Sequence, residues 1–122
     1  MDVSYGVFIV ILALNVIDYI TGLIGGSMVD GFDSSKMRRG LFHKFTYWIL
    51  LGLCYMVALV GPYLELGSII VDGLMLLACS WIVITECGSI MENLVKINPE
   101  LENSPFMSIF KNKDTRGNKD TQ

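Results

Sequence analysis

The chain has 122 residues, of which 52% are hydrophobic and 17% charged, and its formal net charge is −3. Its apolar residues are concentrated in three long blocks with most charges between them, a distribution that excludes an ordinary soluble domain and favours a chain embedded in lipid. Each block must be helical, because lipid offers no partners to backbone N–H and C=O groups, so the sequence predicts an all-α integral membrane protein with three transmembrane helices.

The first predicted span covers about residues 5–24, which a helix extends over roughly 30 Å, the thickness of a hydrocarbon core. A cleaved signal peptide is the alternative, but no basic residue precedes the apolar stretch. Polar and small residues share one face of this helix: Asn15, Asp18, Gly22 and Gly25. Gly22 and Gly26 also form a small-xxx-small pair. This face is suited to packing within the chain or to contact between copies, and the sequence leaves both alternatives open.

A polar, glycine-rich segment follows at residues 25–44. Ser34 or Ser35 is predicted to cap a helix that continues into the second span, at about residues 45–62. Aromatic residues near both ends of this span are typical of membrane interfaces.

The third predicted span covers about residues 69–90, and Pro99 is expected to end its helix. Polar residues recur at every seventh position of this helix and define a polar stripe: Asp72, Cys79, Glu86 and Asn93. A neighbouring row of small residues has the same spacing: Gly73, Ser80 and Cys87. Residues 1–99 are therefore expected to form the membrane domain, and residues 100–122 a short polar tail that is flexible and cytoplasmic.

The basic residues lie in two regions, the central loop and the tail, and the short loop at residues 61–67 has none. The loop contributes Lys36, Arg38, Arg39 and Lys44, and the tail contributes Lys111, Lys113, Arg116 and Lys119. Because cytoplasmic segments are enriched in Lys and Arg, this asymmetry predicts an orientation with the N-terminus outside and the C-terminus inside.

Two carboxyl groups are expected on the cytoplasmic side of the bilayer midplane, from Asp18 and Glu86. Asp18 alone costs roughly 2.5 to 3.5 kcal/mol on insertion, against about −5 kcal/mol gained from the apolar residues around it. No basic residue is predicted in the core of any span, so these carboxyl groups are expected to be protonated, to share a proton or to face water. Interfacial solvation is an alternative for Asp72 and Glu86. The simplest solution is a homo-oligomer with its polar faces turned inward.

No motif for nucleotide binding or nucleophilic catalysis is present in the sequence, so we expect neither an enzyme nor a cofactor. No metal site is expected, because His43 has no ligand partners nearby and Cys54, Cys79 and Cys87 lie inside apolar blocks. Topology explains most of the basic residues, and no nucleic acid is expected as a partner.

Three segments, in this order, resemble the small three-span phage holins of the toxin-secretion and phage-lysis type. They are Asp18-Tyr-Ile-Thr-Gly22, Ser34-Ser-Lys-Met-Arg-Arg-Gly-Leu-Phe-His-Lys44 and Glu86-Cys-Gly-Ser-Ile-Met-Glu-Asn93. The resemblance covers about residues 5–99. It implies timed permeabilisation of the bacterial cytoplasmic membrane by self-assembled lesions, which let a cell-wall hydrolase reach its substrate or let a large toxin leave.

The resemblance also implies roles for particular residues. Asp18, Thr21 and Gly22 would form a packing and assembly element. Lys36, Arg38, Arg39 and Lys44 would anchor the topology and bind anionic lipid. Glu86, Glu92 and Asn93 would form a polar contact between helices or between protomers. Two alternatives from other classes stay open, a small ion or proton translocator that uses Asp18 and Glu86, and a membrane adaptor that recruits a partner through its tail.

Overall fold

The computed structural model describes residues 3–114, with side-chain surroundings for residues 5–109. Three long helices are present: α1 at Val3–Val29, α2 at Ser34–Val60 and α3 at Ser68–Ile97. Each is long and apolar enough to cross a membrane. At 27, 27 and 30 residues they extend over about 40 to 45 Å, which exceeds the hydrocarbon core and reaches both interfaces. The expected all-α architecture with three membrane helices is confirmed.

The connection between α1 and α2 is much shorter than the sequence suggests. α1 continues through Gly25 to Val29, because Gly25 packs closely against α3 and this contact offsets the low helix propensity of glycine. The prediction that Ser34 or Ser35 caps α2 is wrong. Asp33 occupies that position in an extended conformation, and its Oδ1 accepts hydrogen bonds from the backbone N–H groups of Ser35 at 2.9 Å and Lys36 at 3.4 Å.

The connection between α2 and α3 is a tight turn that begins with the 3₁₀ helix Gly61–Leu64. Glu65 follows in the left-handed region at φ 55°, and the N–H of Leu66 donates to the carbonyl of Gly61 at 3.0 Å. A side chain on Gly61 would begin 3.0 Å from Cγ2 of Val71. The absence of a side chain at Gly61 therefore allows the turn to pack directly against α3.

α3 is the central helix of the bundle, since it packs along both α1 and α2, whereas α1 and α2 touch each other little. The two turns reverse the chain direction twice, so α1 and α3 run parallel. The offset between contacting residues of the two helices is constant. Gly22 lies against Asn93 and Gly25 lies against Lys96, and each pair is 71 residues apart in the sequence.

The buried core of the bundle is small and consists of Ile11, Leu51, Ala78 and Ile82. Most other large apolar side chains point outward, such as Ile9, Leu53 and Leu77. A soluble protein rarely exposes apolar surface on this scale, and a bundle of this construction is suited to lipid on all sides.

After α3, the described chain continues with the 3₁₀ helix Pro99–Asn103 and a short helix, α4, at Pro105–Asp114. α3 ends before Pro99, as expected. α4 begins within the segment for which a flexible tail is expected. Ser104 and Pro105 explain its start, because the Ser104 hydroxyl accepts a hydrogen bond from the N–H of Met107 and proline fits the first turn of a helix. The predicted tail bases Arg116 and Lys119, and the side chains of Lys111 and Lys113, lie outside the described residues.

Candidate functional site

One residue from each membrane helix meets in the bundle interior and forms an ion triad of Asp18, Lys44 and Glu86. The Lys44 Nζ lies 2.6 Å from Oδ2 of Asp18 and 2.6 Å from Oε2 of Glu86. The three side chains are only 13%, 12% and 3% exposed, in the order of the sequence. The triad therefore joins all three helices through charge-assisted hydrogen bonds away from water.

The expectation that no basic residue reaches the core of a span is wrong, and Lys44, expected in the topology and lipid anchor, is paired with Asp18 and Glu86 inside the bundle. Asp33 starts α2 early, so Lys44 lies about 15 Å along that helix, with its ammonium group turned toward the other two. The helix predicted from Ser34 or Ser35 already contains Lys44, and what the sequence position does not fix is where the long lysine side chain carries its ammonium group. Because the carboxylates find a counter-charge in their own chain, their presence alone does not require association between copies.

Asn93 extends this polar cluster along the contact between α1 and α3. Its Nδ2 donates to Oδ1 of Asp18 at 2.9 Å, to the Asp18 carbonyl at 3.2 Å and to Oγ1 of Thr21 at 3.2 Å. The Thr21 hydroxyl in turn donates to the carbonyl of Ile17 at 2.8 Å. The structure thus brings together residues of the first and third family-like segments, in a contact between two helices of one chain.

The glycines of α1 divide between two environments. A Cβ atom on Gly22 would lie 3.4 Å from Nδ2 of Asn93, and one on Gly25 would lie 3.2 Å from the Asn93 carbonyl. A Cβ atom on Gly26 would meet nothing within 4 Å. Gly22 and Gly25 therefore serve close packing within the chain, and the pair Gly22 and Gly26 does not form one common contact surface.

Asn15 lies on the same side of α1, one helical turn from Asp18 and further from the connecting loop. It is 5% exposed, and neither its side-chain oxygen nor its nitrogen has a hydrogen-bond partner in the described part of the chain. The register of α1 and α3 places it level with Glu86, again 71 residues apart. A buried amide without partners is uncommon and marks a place where a further group is needed.

The polar stripe of α3 is not brought together as a whole. Glu86 and Asn93 join the cluster, and Cys79 packs half-buried against the apolar core. Asp72 is exposed and borders an apolar groove of about 750 Å³ at the opposite end of the bundle, and Glu92 is exposed as well. The reason is geometric, because a row of every seventh residue drifts by about 20° per heptad around a straight helix.

A polar cleft of about 240 Å³ leads from the α1–α2 connection to the ion triad. Gly22 and Gly26 of α1 and Gly40 of α2 border it, and the lack of side chains there leaves the space open. Its polar walls include Asp18, Lys44, Ser89, Asn93 and Lys96. Asp18 and Lys44 of the triad line the cleft and Glu86 does not, so the route from the triad to the aqueous side passes these two residues and avoids the apolar core.

The remaining basic residues of the predicted anchor lie at the same end of the bundle. Lys36, Arg38 and Arg39 are exposed, and the ammonium of Lys36 lies 4.0 Å from Oδ2 of Asp30 in a solvated pair. Cys54, Cys79 and Cys87 are free thiols. Within residues 3–114, no group of three or more His, Cys, Asp and Glu side chains has an arrangement that could hold a metal ion.

Comparison with known proteins places these features in one family. The sequence profile of the bacteriophage holin family matches residues 3–103, which contain all three membrane helices and the complete ion triad. No curated protein and no solved structure matched the chain. The profile match spans most of the sequence and agrees with a bundle of three apolar helices. The chain therefore belongs to the bacteriophage holin family and is a holin-type, multi-pass membrane protein.

Proposed function

We propose that this holin accumulates in the cytoplasmic membrane of a bacterial host and assembles there into homo-oligomeric lesions. The lesions collapse the membrane potential and allow a cell-wall hydrolase to reach its substrate, so that the host lyses. The family match across the whole three-helix bundle is the observation that carries this proposal. The many exposed apolar side chains along the three helices support it, because such a surface permits the bundle to contact lipid and other bundles alike.

The proposed orientation has the N-terminus outside and the α1–α2 connection in the cytoplasm. Lys36, Arg38 and Arg39 are exposed at that end, where they would meet the anionic lipids of the cytoplasmic leaflet. The opposite turn, at residues 61–67, carries Glu65 and no base. Three residues therefore remain as the proposed topology and lipid anchor, without Lys44.

Thiol labelling of spheroplasts tests this orientation in a cysteine-free background. A membrane-impermeant maleimide should modify Glu65→Cys in intact spheroplasts and Ser35→Cys only after the membrane is opened. The reverse pattern would show that the orientation is inverted.

Contact between protomers is proposed for the small-residue row of α3. A Cβ atom on Gly73 would meet nothing within 4 Å, and Ser80 is exposed on the same side of the helix. Small side chains let two helices approach closely in lipid, where van der Waals packing drives association. Ser80→Leu should therefore reduce the oligomers seen by chemical crosslinking in membranes. Leu53→Phe, which adds volume at an exposed position on α2, away from this row, is the matched control and should leave them unchanged.

The function is tested by induced expression in bacteria with a potential-sensitive dye. A holin should cause an abrupt loss of membrane potential, followed by lysis when a cell-wall hydrolase is co-expressed, and Ser80→Leu should delay both events. Release of a large protein without lysis would indicate the toxin-export variant. A graded, pH-dependent current would instead indicate a translocator, and an unchanged potential would indicate an adaptor. Either of these last two results would refute the proposal.

A further inference from the structure

The polar cleft that opens at the α1–α2 connection is called the loop-side cleft below. Positive and negative charges along it are equal in number everywhere except at the ion triad. At the mouth, Asp30 and Asp33 face Lys36 and Lys96, which gives two charges of each sign. Deeper in the bundle, the triad holds two carboxyl groups from α1 and α3 against one ammonium group from α2. Tyr47, one turn of α2 beyond Lys44, adds no charge in its phenol form. With all acids ionised, the membrane interior would hold one uncompensated negative charge, which is costly in a low dielectric.

Glu86 is the member of the triad that is least able to carry this excess charge. Its side chain is 3% exposed, against 13% for Asp18. Both oxygens of Asp18 accept hydrogen bonds, Oδ1 from Asn93 and Oδ2 from Lys44, and Glu86 accepts from Lys44 at Oε2. A neutral Glu86 would still accept the Lys44 hydrogen bond at one oxygen and would gain an O–H donor at the other.

The unpartnered amide of Asn15 is an independent sign that a polar group is missing in this part of the bundle. Asn15 is level with Glu86 in the register of α1 and α3, and it offers an unused acceptor and unused donors. Each buried polar group without a partner costs about 1 to 3 kcal/mol. A water molecule shared by a protonated Glu86 and Asn15 would satisfy both residues, since buried water usually makes two to four such bonds.

We propose that Glu86 binds one exchangeable proton, which reaches it from water in the loop-side cleft past Asp18 and Lys44, the two triad residues that line the cleft. The bound proton makes the triad electrically neutral, with Asp18 and Lys44 as the remaining ion pair. This inference goes beyond membrane permeabilisation and does not depend on it. It concerns a proton-binding site inside a single bundle, open to the side of the membrane on which the α1–α2 connection lies.

Infrared spectroscopy of the full chain in phosphatidylethanolamine–phosphatidylglycerol liposomes at neutral pH tests the proposal. The carboxylic acid C=O band reports protonated carboxyl groups, and its intensity should correspond to one group per chain. Glu86→Gln and Asp18→Asn should each abolish the band, because each leaves one carboxylate with one ammonium. Lys44→Met should double it, because both carboxyl groups then need protons. Glu65→Gln, in the exposed turn, is the control and should leave one group.

Absence of the band in the unmodified protein would overturn the proposal, as would a band that survives both Glu86→Gln and Asp18→Asn. The band should also shift promptly in D₂O, and a band that resists exchange would overturn access through the cleft. Circular dichroism of each variant checks that the helices remain. Should Lys44→Met lose its helices, the two conservative variants still decide the outcome, because each retains one ion pair. None of these measurements requires lysis, so failure of the proton site and failure of the proposed function are separable.

Discussion

Replacement of Lys44 by methionine is the most direct test of what holds the bundle together. Methionine keeps a long, flexible side chain but removes the ammonium group that lies 2.6 Å from each of two carboxyl groups. Removal of one partner from a buried ion pair typically costs 3 to 5 kcal/mol, because the remaining charge is left without compensation. We therefore expect Lys44→Met to lower the free energy of unfolding by about 3 to 5 kcal/mol.

Two variants make this expectation specific to the triad. Lys36→Met removes an ammonium group whose side chain is 69% exposed, and we expect a change of about 0 to 1 kcal/mol. The triple variant Asp18→Asn, Lys44→Met, Glu86→Gln removes all three ionisable groups, and it should recover most of the stability lost by Lys44→Met. Buried ion pairs are often replaceable by neutral groups even where removal of one partner is severe.

The measurement is reversible unfolding in mixed micelles, followed by tryptophan fluorescence. Trp81 of α3 is a suitable probe, because its ring packs edge-on to Tyr47 of α2 with centroids 5.5 Å apart. Separation of the two helices should therefore change its emission. The reasoning is refuted if Lys44→Met unfolds like Lys36→Met, or if the triple variant is no more stable than the single one.

Three further predictions concern the contact between α1 and α3 and the start of α2. Gly25→Leu should destabilise the bundle and Gly26→Leu should not, because only Gly25 lies against α3; equal unfolding midpoints would contradict this packing. Asn93→Leu removes the donor to Asp18 and should lower the free energy of unfolding by about 1 to 3 kcal/mol, measured by the same titration. Asp33→Ala removes the cap of α2 and should cost about 0.5 to 2 kcal/mol, with faster amide hydrogen exchange in the first turn; unchanged exchange there would exclude a capping role.

The architecture was predictable because the local sequence alone indicates whether a segment can form a membrane helix. A run of about twenty apolar residues satisfies the length and the solvation that the bilayer demands, whatever the rest of the chain does. The end of α3 before Pro99 follows from the same kind of local rule. The end of α1 was less accessible, since Gly25 packs against α3 in a contact that no local pattern reveals.

The candidate site was only half predictable from the sequence. Spacing placed Asp18 on one face of the first helix, and Glu86 with Asn93 on one face of the third, and the structure brings these residues together. The partner Lys44 was missed because a lysine near a span is first interpreted as a topology signal. Its long side chain lets the ammonium group lie far from the backbone, so the sequence position does not fix where the charge is. The lack of partners at Asn15 depends on three-dimensional packing and has no sequence signature.

The ion triad restricts how a larger structure could form. If α2 were to swing away from α1 and α3, its ammonium group would leave two acids behind in the apolar interior. The free energy of such an opened intermediate would be several kcal/mol above that of the closed bundle, because it separates the same charges that removal of one partner leaves unpaired. A ring in the membrane would therefore be assembled from whole bundles and not from separated helices.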